Sequence, residues 1–239
     1  MNNYIGIDPS KASTAISVES NKGDFLFNYT TKDLGYKWIK KTKDQIKYTQ
    51  FTYYTSDIYS ESEFYKLQTF SQISEMVLKD ILSVIDLNEN TNIGIEGYSY
   101  GFKSSPGPII DLVGLGQSIR LKIFENIPKI KDFRVISPKR LKTLTCEMVY
   151  GKPEVLLNKR TGEPLKTQPP ATNKQGISGG EFNKKEMFLA MLEGDINSPA
   201  FKFCEENQKE ILTTKTIPKP FDDIIDSLLV KEMMKTNKL

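Results

Sequence analysis

Histidine is absent from this 239-residue chain, which also contains only two cysteines and one tryptophan. Without histidine there can be no Ser-His-Asp or Cys-His nucleophile, no imidazole base and no histidine-ligated metal. Cys146 and Cys204 predict neither a disulfide framework nor a zinc site of ordinary composition. Acid–base or hydrolytic chemistry in this chain must therefore use carboxylates, lysine, tyrosine or metal-activated water.

Long apolar runs are also missing, since the longest fall far short of the ~20 residues that span a bilayer. The first residues, Met-Asn-Asn-Tyr, show no basic region followed by an apolar core, so we expect no secretory signal. A hydrophobic fraction of 38% and a charged fraction of 26% are typical of a soluble globular protein. With so little cysteine, we expect a reducing, cytoplasmic location. The net charge of +3 permits binding to a polyanion without requiring it.

The order of predicted elements indicates an α/β protein whose sheet begins with antiparallel strands. Strands are predicted within 4–18, at 25–29, at 91–96 and at 132–138. Hydrophobic periodicity and helix-start signals predict helices over 60–86, over about 109–126, from Pro138, over 183–194 and from Pro220. We expect one domain over 1–239. An insertion or a long irregular segment is predicted near 32–57, and an insertion that forms a long loop near 150–182.

Carboxylates occupy matching places in this pattern. Asp8 and Glu96 each follow Gly-Ile at the end of a β-prone run, so neighbouring strands would bring both acids to one edge of the sheet. Asp223 and Asp226 lie three residues apart in the last helix and share a face. Taken singly, Asp8 is explained by turn chemistry, and Asp222 and Asp223 by their favourable places in a first helical turn. As a set, four acids from three elements favour a divalent metal site, because clustered acids are costly without a cation.

Six motifs carry a resemblance to a known family, and they follow its order over most of the chain. They are IGIDPS at 5–10, IGIEGYSYG at 93–101, LVGLGQSIR at 112–120, ISPKRLK at 136–142, NKKEMFLAML at 183–192 and DDIIDSLL at 222–229. The chain resembles the RuvC family of Holliday junction resolvases in the ribonuclease-H-like superfamily, most of all the divergent members of tailed phages. The resemblance implies a ribonuclease-H-like mixed central sheet, with antiparallel first strands and then parallel ones, flanked by helices.

The resemblance also implies an activity, a metal and a substrate. It implies a crossover junction endodeoxyribonuclease that cleaves four-way junctions and other branched DNA by two-metal phosphodiester hydrolysis. The metal would be Mg²⁺, with Mn²⁺ as a substitute, bound by Asp8, Glu96, Asp223 and Asp226. The symmetry of a four-way junction implies a homodimer, and no membrane is implied.

Further site residues follow from the same resemblance. Lys142 and Lys185 match family lysines near the scissile phosphate, and Lys184 is a rival for the second position. The family places a base-stacking aromatic close to Ser99, between Tyr98 and Tyr100. The residues expected to contact DNA are Tyr98, Tyr100, Lys103, Lys139 and Lys184. The tyrosines have an alternative interpretation, in which they pack under the helix that follows.

Departures from the family pattern leave alternatives open. Ser10 replaces a family glycine, and the segments 32–57 and 150–182 are unusual. One alternative is a ribonuclease-H-like nuclease for flaps, forks or other branched DNA. An actin-like ATPase or sugar kinase is disfavoured because Ser10-Lys11-Ala12 supplies no glycine-rich phosphate loop. A non-catalytic DNA-binding scaffold with the same fold is the third alternative.

Overall fold

The structure is a computed structural model that describes residues 2–97, 106–150, 158, 160–163, 184–193, 199–214 and 216–236. The strands are β1 (Asn3–Asp8), β2 (Ser13–Ser20), β3 (Gly23–Thr30), β4 (Lys47–Gln50), β5 (Thr91–Glu96) and β6 (Ile130–Ile136). The longer helices are α2 (Tyr59–Val84), α3 (Pro106–Asn126), α4 (Pro138–Tyr150), α5 (Lys184–Glu193) and α8 (Phe221–Thr236). The shorter helices are α1 (Lys37–Thr42), α6 (Pro199–Glu206) and α7 (Gln208–Leu212).

The strands form one mixed sheet in the order β4-β3-β2-β1-β5-β6. The β1–β2 and β2–β3 pairs are antiparallel, whereas β5 joins β1, and β6 joins β5, in parallel. The connection from β4 to β5 contains α2, and the connection from β5 to β6 contains α3. The predicted mixed sheet, antiparallel in its first strands, parallel afterwards and flanked by helices, is confirmed.

Side-chain alternation along the strands divides the core between the two faces of the sheet. Ile5 and Ile7 of β1 and Ile93 and Ile95 of β5 are buried in a cluster that includes side chains of α2 and α3. The opposite face is covered by α8, whose apolar residues pack in a second cluster with those of α4, α5 and α6. Because Asp8 and Glu96 follow these isoleucines by one residue, they lie on the α8 face.

Two paired glycines let α8 lie directly on the sheet. Gly6 and Gly94 are register partners in β1 and β5. A Cβ on Gly6 would lie 2.0 Å from the backbone oxygen of Ser227, and one on Gly94 would lie 2.6 Å from a methyl of Val230. Ser17 of β2 adds a hydrogen bond of 2.7 Å from its Oγ to the same Ser227 oxygen. This close approach holds the first turns of α8 over the ends of β1 and β5.

The segments 32–57 and 150–182, predicted as insertions, compare differently with the structure. The segment 32–57, predicted to be irregular, contains α1 and β4, and β4 pairs in parallel with β3 at the edge of the sheet. The prediction of an irregular segment is therefore wrong there. Most of 150–182 lies outside the described residues. None of the described helices is long and apolar enough to cross a membrane.

Candidate metal centre

Three acids from three elements meet above the ends of the two central parallel strands. Asp8 is the last residue of β1, Glu96 is the last residue of β5, and Asp226 lies in the second turn of α8. One carboxylate oxygen from each of the three lies within 4.8 Å of the others. The three carboxylates converge because β1 pairs in parallel with β5 and because α8 packs closely against Gly6 and Gly94.

The three carboxyl groups are buried together, with exposed fractions of 7% for Asp8, 8% for Glu96 and 1% for Asp226. Burial raises the pKa of Asp8 well above its usual range, and the neighbouring charges of Glu96, Asp223 and Asp226 raise it further. Burial likewise raises the pKa of Glu96 and of Asp226. Buried carboxylates this close together repel one another when they are ionised, so the group favours a bound cation.

Two lysines form salt bridges with acids at the edge of this cluster. Lys184, at the start of α5, has its Nζ 2.5 Å from Asp226 Oδ2 and 2.5 Å from Asp222 Oδ1. Burial disfavours its charge, but Asp226 and Asp222 outweigh that effect and raise the pKa of Lys184. Lys219, just before α8, has its Nζ 2.5 Å from Asp223 Oδ1, and Asp223 raises the pKa of Lys219 against the opposing effect of burial.

The site fits a divalent cation of the magnesium type. Its acids are Asp8, Glu96, Asp222, Asp223 and Asp226, and the lysines that contact them are Lys184 and Lys219. Five carboxylates against two ammonium groups leave an excess of negative charge when all are ionised. Asp226 Oδ1 is buried and has no hydrogen-bond partner among the described residues. Oxygen-only ligands of this kind suit Mg²⁺ or Mn²⁺ rather than a soft metal.

The fourth predicted acid, Asp223, is placed differently from the other three. It is 2% exposed in the first turn of α8. Burial raises its pKa, and the charge of Lys219 lowers it to a smaller extent. Its charge acts on Asp8, but its carboxylate is not among the three that converge. Asp223 is thus beside the cluster and bound to a lysine.

The predicted lysines separate into different environments. Lys184 contacts the acids, whereas Lys185 directs its Nζ to the backbone oxygen of Thr214 at 2.9 Å. Lys142 is half-buried on α4 and makes no salt bridge with the acids in the described part of the chain, and Lys139 is exposed on the first turn of α4. The remaining predicted DNA contacts, Tyr98, Tyr100 and Lys103, lie outside the described residues.

Sequence reasoning missed Lys219 and gave Asp222 only the ordinary role of a first-turn acid. The spacing of Lys219 and Asp223 is four residues, which is the spacing of a helical ion pair. That signal was available in the sequence. It is weakened by Pro220, because a residue before proline is disfavoured in the α region, so the helical spacing rule does not apply to Lys219.

Comparison with known structures finds junction resolvases among the similar structures. The chain is similar in structure to RuvC. RuvC from T. thermophilus in complex with Holliday junction substrate is 10% identical, with a TM-score of 0.44 over 97% of this chain and 90% of that chain. A second Thermus thermophilus RuvC structure is 12% identical, with a TM-score of 0.40 over 98% and 96% of the two chains.

A third similar structure is the yeast mitochondrial Holliday junction resolvase Ydc2. It is 10% identical, with a TM-score of 0.44 over 97% of this chain and 80% of that chain. No family model matches the sequence, and no curated protein matches it. These likenesses concern the fold, and what the site does is inferred below from its own residues.

Proposed function

We propose that this protein is a metal-dependent, structure-selective DNA endonuclease that hydrolyses phosphodiester bonds in four-way junctions. The observation that carries the proposal is the buried convergence of Asp8, Glu96 and Asp226, with one oxygen of Asp226 left without a partner in the described part of the chain. Carboxylates held this close favour a divalent cation, and the chain has no histidine for a metal-free hydrolytic mechanism. The ordered motifs at 5–10, 93–101 and 222–229 support a junction substrate.

Asp8, Glu96 and Asp226 would hold the ion, which we expect to be Mg²⁺ with Mn²⁺ as a substitute. When bound, divalent ions in such sites activate water for attack on phosphorus and stabilise the departing oxygen. The chain's own contribution is to fix three carboxylates on rigid elements and to exclude bulk water from around them. Lys184, which is 40% exposed, is near enough to the acids to neutralise charge that develops on the phosphate. Lys142 and Lys185, to which the resemblance gives this role, are the lysines to compare with Lys184.

The DNA would approach the exposed rim of the site. Lys139 is exposed on α4, where it can contact a phosphate without reading sequence. Tyr98 and Tyr100 follow Glu96 directly in the chain, so we propose that one of them stacks on a base opened at the crossover. A four-way junction has two symmetric strands to cut, and we therefore propose a homodimer with one metal centre in each subunit.

The test is a cleavage assay on four substrates: a four-way junction, a flap, a fork and linear duplex. We expect junction cleavage in Mg²⁺ or Mn²⁺, none in excess EDTA, and none by Asp226→Asn even though DNA binding persists. Asp111→Asn is the matched control, because Asp111 is also a partly buried, lysine-paired aspartate, but it lies outside the acid cluster. Preferred cleavage of flaps or forks would replace the junction by another branched substrate. Full activity in EDTA, or of Asp226→Asn, would refute the metal-dependent mechanism.

The homodimer is tested separately. Sedimentation of the protein with and without a four-way junction gives the number of subunits bound to each junction. We expect two subunits per junction and paired cuts on opposite strands of a cruciform plasmid, released as linear DNA. A single subunit per junction with isolated nicks would contradict the homodimer and leave the metal-dependent hydrolysis standing.

A further inference from the structure

Asp222, in the first turn of α8, shares a lysine with the metal centre. Its Oδ1 lies 2.5 Å from Lys184 Nζ, and Asp226 Oδ2 lies 2.5 Å from the same nitrogen. Asp222 and Asp226 are four residues apart, so their side chains lie on one face of the helix. The ammonium group of Lys184, which comes from the start of α5, is therefore held by two carboxylates on successive turns of α8.

The neighbouring acid, Asp223, is placed differently. It lies about 100° around the helix from Asp222, and its salt bridge is with Lys219. In the described part of the chain, Lys219 forms no salt bridge with any of the three converging acids. Asp222 is thus distinguished from Asp223 by sharing its lysine with one of those three.

The two salt bridges of Lys184 differ in how a bound metal ion affects them. Asp226 is one of the three converging carboxylates, and a cation on this carboxylate repels an ammonium group that contacts it. Asp222 is not among the carboxylates that converge within the described residues, so its salt bridge carries no such conflict. By contrast, the adjacent Lys185 donates to the backbone oxygen of Thr214. Asp222 is the contact that keeps Lys184 in place when Asp226 binds an ion.

We propose that Asp222 is a positioning residue, which holds the Lys184 ammonium group beside the metal centre when the ion and the DNA are bound. This inference rests on the proposed metal-dependent function and adds a residue to which the family resemblance gives no role. In this scheme Asp222 neither binds the ion nor touches the phosphate. It acts through Lys184, by keeping that charge where negative charge develops on the phosphate.

A double-mutant cycle on junction cleavage tests whether Asp222 acts through Lys184. Single-turnover rates are measured in Mg²⁺ for the wild type, Asp222→Asn, Lys184→Ala and the double variant. We expect Asp222→Asn to lower the rate by about 10–100-fold, the usual loss when a residue that orients a metal-site group is replaced, with unchanged junction affinity. In the Lys184→Ala background it should cause no further loss, because residues that act as a unit are not additive. A merely structural role would lower the rate in both backgrounds alike.

Lysine acylation measures the hold on Lys184 without any cleavage. Lys184 is 40% exposed, so an acylating reagent can reach it, and mass spectrometry gives the extent of modification at each lysine. In Asp222→Asn we expect Lys184 to be modified several-fold faster than in the wild type, most of all in Mg²⁺, since Asp226 alone then retains it. The number of bound Mn²⁺ ions, counted from the free-ion electron paramagnetic resonance signal, should not change.

Asp111→Asn is the matched control. The Asp111 side chain is 12% exposed against 18% for Asp222, and it also forms a short salt bridge with a lysine, of 2.6 Å to Lys11. This variant should change neither the cleavage rate nor the modification of Lys184. Asp222→Ser is measured beside Asp222→Asn and should behave in the same way, and Asp222→Glu, which keeps a carboxylate, should retain most of the activity. Thermal midpoints show which variants are folded.

Three results would overturn the inference. A wild-type rate in Asp222→Asn, or an equal loss in both backgrounds, would refute the positioning role and leave the metal-dependent nuclease intact. Loss of a bound Mn²⁺ ion in Asp222→Asn would identify Asp222 as a metal ligand and would refute the positioning role as well. A wild type that cuts no branched substrate would refute the proposed function, and the inference with it.

Discussion

Replacing Asp8 by asparagine should make the metal-free protein more stable while abolishing its chemistry. Asp8 is 7% exposed. In the described part of the chain no lysine forms a salt bridge with it, and Lys219 acts on it only through its charge. Burial and three neighbouring acids raise the pKa of Asp8, so ionising Asp8 at neutral pH destabilises the folded state. Asparagine keeps the shape, carries no charge and can still donate a hydrogen bond to Glu96.

The expected gain follows from the cost of a buried polar group without compensation, about 1–3 kcal/mol. For a chain of 150–250 residues each kcal/mol changes the melting temperature by about 2–4 °C, so we expect a rise of roughly 2–12 °C in EDTA at pH 7. The sign depends on pH. The folded wild type retains a proton that the unfolded chain has lost, so its stability falls as the pH rises above about 4. The advantage of Asp8→Asn should therefore shrink towards zero below that pH.

The assay is thermal unfolding of both proteins between pH 4 and pH 7.5, in EDTA and in millimolar Mg²⁺. Mg²⁺ should stabilise the wild type by binding the folded state and should have little effect on Asp8→Asn. Asp111→Asn is the matched control with the opposite sign: Lys11 and Lys66 lower the pKa of Asp111 against the effect of burial, so its replacement should destabilise the protein at pH 7. A loss of stability in Asp8→Asn in EDTA at pH 7 would refute the electrostatic reasoning.

Three further predictions concern the lysines, the packing of α8 on Gly6 and the tyrosines. Lys184→Ala should lower the single-turnover cleavage rate by about 10²–10³-fold with little change in junction affinity. Lys185→Ala should have a much smaller effect, and the reverse order would show that Lys185 acts on the phosphate. Gly6→Ala should lower the free energy of unfolding by more than about 3 kcal/mol in urea titration, because its Cβ would lie 2.0 Å from a backbone oxygen. A loss below about 1 kcal/mol would contradict the close packing of α8 on the sheet. Tyr98→Ala or Tyr100→Ala should impair junction cutting but not folding or Mn²⁺ binding, and a fluorescent base analogue at the crossover should stay dim with the impaired variant; normal cutting by both would favour the packing interpretation.

Much of the fold could be predicted because local patterns and tertiary packing agree. The alternation in β1 and β5 determines that Ile5, Ile7, Ile93 and Ile95 share one face, and therefore that Asp8 and Glu96 share the other. The helical period of α2 and the proline at the start of α8 are equally local. The segment 32–57 was harder, because β4 is four residues long and its place at the sheet edge depends on pairing with distant β3.

The candidate site divides in the same way. The sequence by itself determined which acids could serve, since strand-end and helical spacing put carboxylates at matching places; their role stays a prediction. Only the tertiary structure decided which of them converge and which cation each one meets. Lys184 and Lys185 are adjacent, but one residue of helix rotates a side chain by about 100°, so only Lys184 faces Asp226. Lys219 holds Asp223 because the chain before α8 brings its Nζ to that carboxylate and to Ser10. Contacts between segments about two hundred residues apart depend on the packing of α8 against the sheet, which no local pattern encodes.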